Sequence, residues 1–105
     1  MGFISYFSSK DVKLLAVDLV GEIVRDIPPK ILSVNAKVLS ANRISHVLES
    51  VYEKAYMYKQ SNGMGLLRRA VFANTFRWGL AEAGYSEDFV RVATEGVVLY
   101  LSRGK

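Results

Sequence analysis

The 105-residue chain has no cysteine. Disulfides, thiolate metal sites and cysteine nucleophiles are therefore all excluded. Its one histidine, His46, gives a protein-only zinc site or a histidine-centred dyad little to build on. Its two prolines are adjacent, Pro28-Pro29, so the sequence forces a break at a single place. No apolar run approaches the roughly 18 residues of a membrane-spanning helix. The opening, Met1-Gly2-Phe3-Ile4-Ser5-Tyr6-Phe7, lacks the basic stretch and long apolar core of a secretion signal. Tyr6 stands where N-myristoylation wants Ser or Thr. By elimination these absences predict a cytoplasmic protein with no membrane partner. Catalytic signatures are missing too. Gly63-Met64-Gly65 is a bare G-x-G with no strand before it, and neither G-x-S-x-G nor H-E-x-x-H occurs. The expectation is a protein that is not an enzyme and uses no metal or cofactor.

Half of the residues are hydrophobic, which argues against disorder and for one domain, residues 1–105, around one core. The net charge is +4, but the bases are dispersed and Arg68-Arg69 is their one adjacent pair. That is weak support for a nucleic-acid partner, because phosphate binding needs local Lys/Arg density.

Hydrophobic periodicity predicts an all-α, irregular bundle of four main helices, at about 10–26, 41–60, 64–83 and 87–102, with a short helix at about 30–38. In the first, Val12, Leu15, Ala16, Leu19, Val20 and Ile23 recur at helical spacing behind a Ser8 or Ser9 cap, and Pro28-Pro29 ends it. Ser40 or Asn42 caps the second, whose buried stripe is Ile44, Val47, Leu48, Val51, Ala55 and Tyr58. Ser61-Asn62-Gly63 is a turn. The last helix opens at Ser86 with Glu87 and Asp88 in its first turn, after a Gly84 cap.

The helix at 64–83 is apolar almost all round, with Arg68, Thr75 and Glu82 as its one polar line. Such a helix is normally enclosed on most sides, and a bundle this small leaves every helix bordering water. Phe72 and Phe76 lie on one side of it, and Val71 and Trp78 on another. Self-association through the C-terminal helices resolves the conflict, and a two-fold dimer is the commonest solution. The expected interface comprises Phe72, Phe76, Trp78, Gly79, Ala83, Val97 and Leu101, with small residues allowing close helix approach. The predicted role is a helical protein that pairs with itself and acts by binding another macromolecule, an unidentified protein partner.

Four clusters suggest chemistry. Arg77 lies within the apolar helix near Asn74. A buried guanidinium requires a carboxylate or several carbonyl partners, so an inter-helix or inter-subunit ion pair, with Asp18, Glu22 or Asp26 as the obvious acids, is expected in preference to an anion clamp built from Arg77, Asn74 and Trp78. His46, Glu49 and Glu53 share one helix face but lack the second motif copy of carboxylate-bridged bundles, so they read as a solvated face. Residues 36–46 have a helix-turn-helix flavour, in which Asn42, Arg43 and His46 would meet DNA bases. That is the alternative function. Tyr52, Tyr56 and Lys59, near Arg68 and Arg69, could stack on single-stranded nucleic acid, although tyrosine at the margin of a buried stripe more often serves packing.

Overall fold

The structure, a computed structural model, describes residues 9–34 and 41–103. Five helices follow in order: α1 (Lys10–Asp26), α2 (Pro29–Val34), α3 (Ala41–Asn62), α4 (Leu66–Ala83) and α5 (Glu87–Leu101). The chain is all-α, an irregular bundle of four main helices and one short one, with no strand among the described residues.

The helix ends follow local chemistry. Ile27 leaves the helical region at φ −131°, as a residue before proline should. Gly63 takes φ +77°, a conformation few side chains tolerate. Gly65 is extended, and together they delay α4 to Leu66, two residues beyond the expected start. At the other end of α4, Gly84 sits at φ +106°, and the amides of Gly84 and Tyr85 close back on Ala81 and Leu80. The Ser86 hydroxyl accepts from the Phe89 amide, capping α5. Ser9 precedes α1 but makes no side-chain cap. Asn42 lies inside α3, one residue past its start. Ser8, Ser40 and the rest of the expected 30–38 helix lie outside the described residues.

Three contacts fix the relation of α1 to α4: Asp11 with Arg68, Val20 with Gly79, and Ile27 with Tyr85. They run in the same order along both helices, so α1 and α4 are parallel. The Val20 side chain lies only 3.1 Å from where a Cβ on Gly79 would stand. Helix α3 runs parallel to α5, with Tyr52 reaching Ala93 and Lys59 reaching Arg103. The short link at Gly84–Ser86 folds α5 back against α4.

The core takes one stripe from each main helix: Val12, Ala16, Leu19, Val20 and Ile23; Leu48, Val51, Tyr52 and Ala55; Phe72, Phe76 and Leu80; Val90, Ala93, Val97 and Leu101. Phe72 and Phe76 are fully buried, their rings stacked at 5.8 Å. Tyr52, expected at the margin of its helix, is buried as well. Its hydroxyl donates to the Ala93 carbonyl at 3.0 Å, and burial pushes its phenol up to about 12. Gly96 makes room for it, since a Cβ there would overlap the Tyr52 ring and hydroxyl.

Candidate interaction surface

The arc of α4 that faces inward carries Phe72, Phe76 and Leu80. Val71, Gly79 and Ala83 flank that arc and are half-buried, and other apolar residues of the helix stay outside. Leu66 is 76% exposed, Leu67 63% and Trp78 52%. Between α4 and α5 this outward side forms a seam with two successive grooves. The larger, about 570 Å³, has Ala81, Val90 and Thr94 among its lining residues. Charged residues of both signs also line it, Arg77 with Trp78 on the α4 side and Glu87, Arg91 and Glu95 on the α5 side. The smaller, about 230 Å³, continues along the seam past Leu66, Arg69, Ala70, Ala73 and Val98.

Two buried polar atoms lack a hydrogen-bond partner among the described residues, Thr94 Oγ1 and Arg69 Nε. One belongs to each groove. Orphaned buried polar groups are rare and call for an explanation; here both fall on the same seam.

The expected interface set is corrected by this geometry. Phe72, Phe76, Val97 and Leu101 point into their own core and are at most 1% exposed, so they have no surface to offer a second chain. Gly79 packs on Val20 of α1, and Ala83 lies against the core. Of the seven residues, only Trp78 presents an open face. The seam residues Ala70, Ala73 and Val98 take the place of the others.

Arg77 lies on the side of α4 that carries Leu66, Ala70, Ala73 and Ala81, and that side faces the grooves and not the core. The side chain is exposed, its guanidinium 4.8 Å above the Trp78 ring. The expected ion pair with α1 is not made: Glu22 binds Lys54 at 2.8 Å and Asp26 binds Arg25 at 3.2 Å. Asn74 is exposed.

His46, Glu49 and Glu53 are exposed on α3, and no group of three potential metal ligands occurs among the described residues. Asn42 and Arg43 are also exposed, in the first turn of α3. The turn that a helix-turn-helix would need lies in residues 35–40, outside the described residues. No helix among those described is long and apolar enough to cross a membrane.

One polar node joins three helices at one end of the bundle. Arg68 donates to both carboxylate oxygens of Asp11, at 2.9 and 2.8 Å, and the Tyr58 hydroxyl donates to the same group at 2.5 Å. The Arg68 bonds, followed by that of Tyr58, hold the Asp11 carboxyl well below the usual carboxylate range. The tyrosine responds in the opposite sense, its phenol pushed up by its bond to Asp11. The node ties the starts of α1 and α4 to the last turns of α3. Asp11 reads locally as a first-turn acid that suits the helix dipole, and nothing in the sequence signals partners 47 and 57 residues away.

Comparison of the chain with models of known families, with curated proteins and with solved structures found no match.

Proposed function

We propose that this is a non-catalytic, cytoplasmic helical module that pairs with a second copy of itself along the α4–α5 seam, and in that form binds another macromolecule. The observation that carries the pairing is the coincidence on one face of two apolar-floored grooves, a half-exposed tryptophan and both orphaned polar atoms. Charge supports a second copy as the occupant. The larger groove presents two arginines and two glutamates, so a two-fold partner brings the same surface back with each sign available to meet the other.

Size sets the strength of the pairing. Helix α4 has 18 residues, about 27 Å at the usual rise, and two helices side by side span about 20 Å. The face is then about 540 Å² per copy, at the small end of specific interfaces and consistent with a reversible, concentration-dependent dimer. Small, closely approaching residues on the seam, Ala70, Ala73 and Ala81, let a partner helix sit low in the groove.

The test is light scattering during size exclusion over a range of loading concentrations. The wild type should rise toward twice the 11.7 kDa chain mass as it is concentrated. Val98→Asp and Trp78→Ser, both at exposed positions, should stay at the single-chain mass while keeping their helical circular dichroism. A wild type that remains at the single-chain mass into the millimolar range removes the proposal.

A further inference from the structure

The bundle is electrically lopsided, and its ends can be defined by contacts. Asp11–Arg68, Tyr58–Asp11, Arg69–Leu101 and Lys59–Arg103 bring together the first turns of α1 and α4, the last turns of α3 and the residues after α5. Among the described residues this end carries Lys10, Lys13, Lys59, Arg68, Arg69 and Arg103, and a single carboxylate side chain, Asp11. Arg68 and Asp11 neutralise each other, which leaves five positive charges. The whole chain carries only +4, so this one end holds more than the entire net charge. Charge gathered in this way, and not dispersed, attracts an anionic partner.

Two further features say which anion. First, Leu66 and Leu67 open α4 at this end and are among the most exposed apolar side chains described, at 76% and 63%. Helical Cα–Cβ bonds tilt toward the N-terminus, so both side chains lean toward this end, and Leu66 also lines the smaller groove of the seam. Exposed leucines contribute nothing to a phosphodiester contact, whereas apolar side chains ringed by Lys and Arg suit the boundary between lipid headgroups and acyl chains. Second, the tyrosines here are not open stacking platforms. Arg103 lies 4.4 Å over Tyr100, and both Arg103 and Lys59 lie 5.7 Å from the Tyr56 ring centre. Single-stranded nucleic acid needs free aromatic faces, and these already carry cations.

We infer that this basic end docks peripherally on an anionic lipid surface, with Leu67 and its neighbour Leu66 entering the headgroup layer and Lys10, Lys13, Lys59, Arg69 and Arg103 facing the lipid anions. Spanning the membrane is not involved. The absences of a long apolar run, a secretion signal and a myristoylation motif bear on spanning, export and lipid anchoring, and not on a folded surface lying against a membrane. The anionic lipids of a cytoplasmic leaflet supply the complementary charge. Most of this surface lies off the α4–α5 seam, and docking does not require self-association.

The experiment is co-sedimentation of the full chain with vesicles of phosphatidylcholine alone or mixed with phosphatidylserine, across a salt series. The wild type should pellet with the mixed vesicles, progressively less as salt screens the charges, and not with phosphatidylcholine alone. Lys10→Glu, Lys13→Glu and Arg103→Glu together should lower the partition coefficient at least about 100-fold, and Leu67→Ser about tenfold. All four side chains are exposed, so thermal melts should match the wild type. Should a variant misfold, the salt and lipid series on the wild type still decide. Absence of pelleting with mixed vesicles overturns the inference. So does equal pelleting with phosphatidylcholine alone, or pelleting that survives the charge reversals. Binding of a labelled single-stranded oligonucleotide without vesicle binding would reassign the end to nucleic acid. A single-chain mass in solution combined with vesicle binding would remove the seam pairing and leave this inference standing.

Discussion

Adding one methyl group to α5 at position 96 is expected to destabilise the fold, while the same change on α1 at position 21 stabilises it. Both glycines are helical. Gly21 is exposed with nothing within 4 Å of a new Cβ, so Gly21→Ala should gain about 1 kcal/mol from helix propensity alone. Gly96→Ala has the same gain but drives its Cβ into the Tyr52 hydroxyl and ring. That ring cannot swing aside freely, because it is buried, lies 5.1 Å from Tyr100 and is tied to the Ala93 carbonyl. Displacing it strands a buried hydroxyl, at about 1–3 kcal/mol. Overpacking adds about 1–3 kcal/mol. After subtracting the propensity gain, the net loss is about 1–5 kcal/mol, with a centre near 3. At about 4–8 °C per kcal/mol for a domain of this size, the central value lowers the melting temperature by about 12–24 °C. Thermal and urea unfolding followed by circular dichroism would read both variants side by side. In a Tyr52→Phe background, which lacks the hydroxyl, the Gly96→Ala cost should shrink by about 1 kcal/mol or more, a coupling that independent sites do not show. The reasoning is refuted if Gly96→Ala is as stabilising as Gly21→Ala.

Three other outcomes follow from the same structure. Phe76→Ala should cost about 3–5 kcal/mol as a core cavity, whereas Arg77→Ala should change stability by less than about 0.5 kcal/mol, as an exposed substitution; the reverse order in urea unfolding would restore Arg77 to the interior. The folded-state carboxyl of Asp11 is depressed, so its bond to Arg68 contributes stability that is present above about pH 4, the ordinary carboxylate value, and lost as pH falls through the lower folded-state value. Asp11→Asn should cost about 1 kcal/mol at neutral pH and reduce the acid sensitivity of unfolding; an unchanged acid midpoint and neutral-pH stability would contradict this. Tyr52 and Tyr85 are both pushed up to about 12 by burial, so in a spectrophotometric titration Tyr52→Phe and Tyr85→Phe should each remove a late-ionising phenol and leave the early phase intact.

Where the chain carries its own punctuation, the elements were readable from the residues. The Gly84 and Ser86 caps, the first-turn acids of α5 and the Pro28-Pro29 break all act within a few residues. The stripes of α1 and α3 were readable because polar residues mark their outer faces. Helix α4 lacks that contrast. With apolar side chains almost all round, its periodicity has no phase, and spacing cannot say which side turns inward. Phe72 and Phe76 were accordingly expected at an interface and Arg77 in the interior, and the packing reverses both. Tyr52 was hidden for a different reason, since its place depends on a glycine in another helix. The basic end emerges only when four helix termini are brought together, because its six cations are scattered between residues 10 and 103 of the chain.

The pairing of two copies along the α4–α5 seam is tested most directly by the emission of Trp78, the one tryptophan in the chain and a residue of the larger groove that is half-exposed in the single chain. Its spectrum would be recorded over a dilution series from the millimolar to the nanomolar range. A reversible shift to shorter wavelength with rising concentration, abolished by Val98→Asp, is the predicted result. An emission maximum that stays at the solvent-exposed position throughout, unaltered by Val98→Asp, would contradict it.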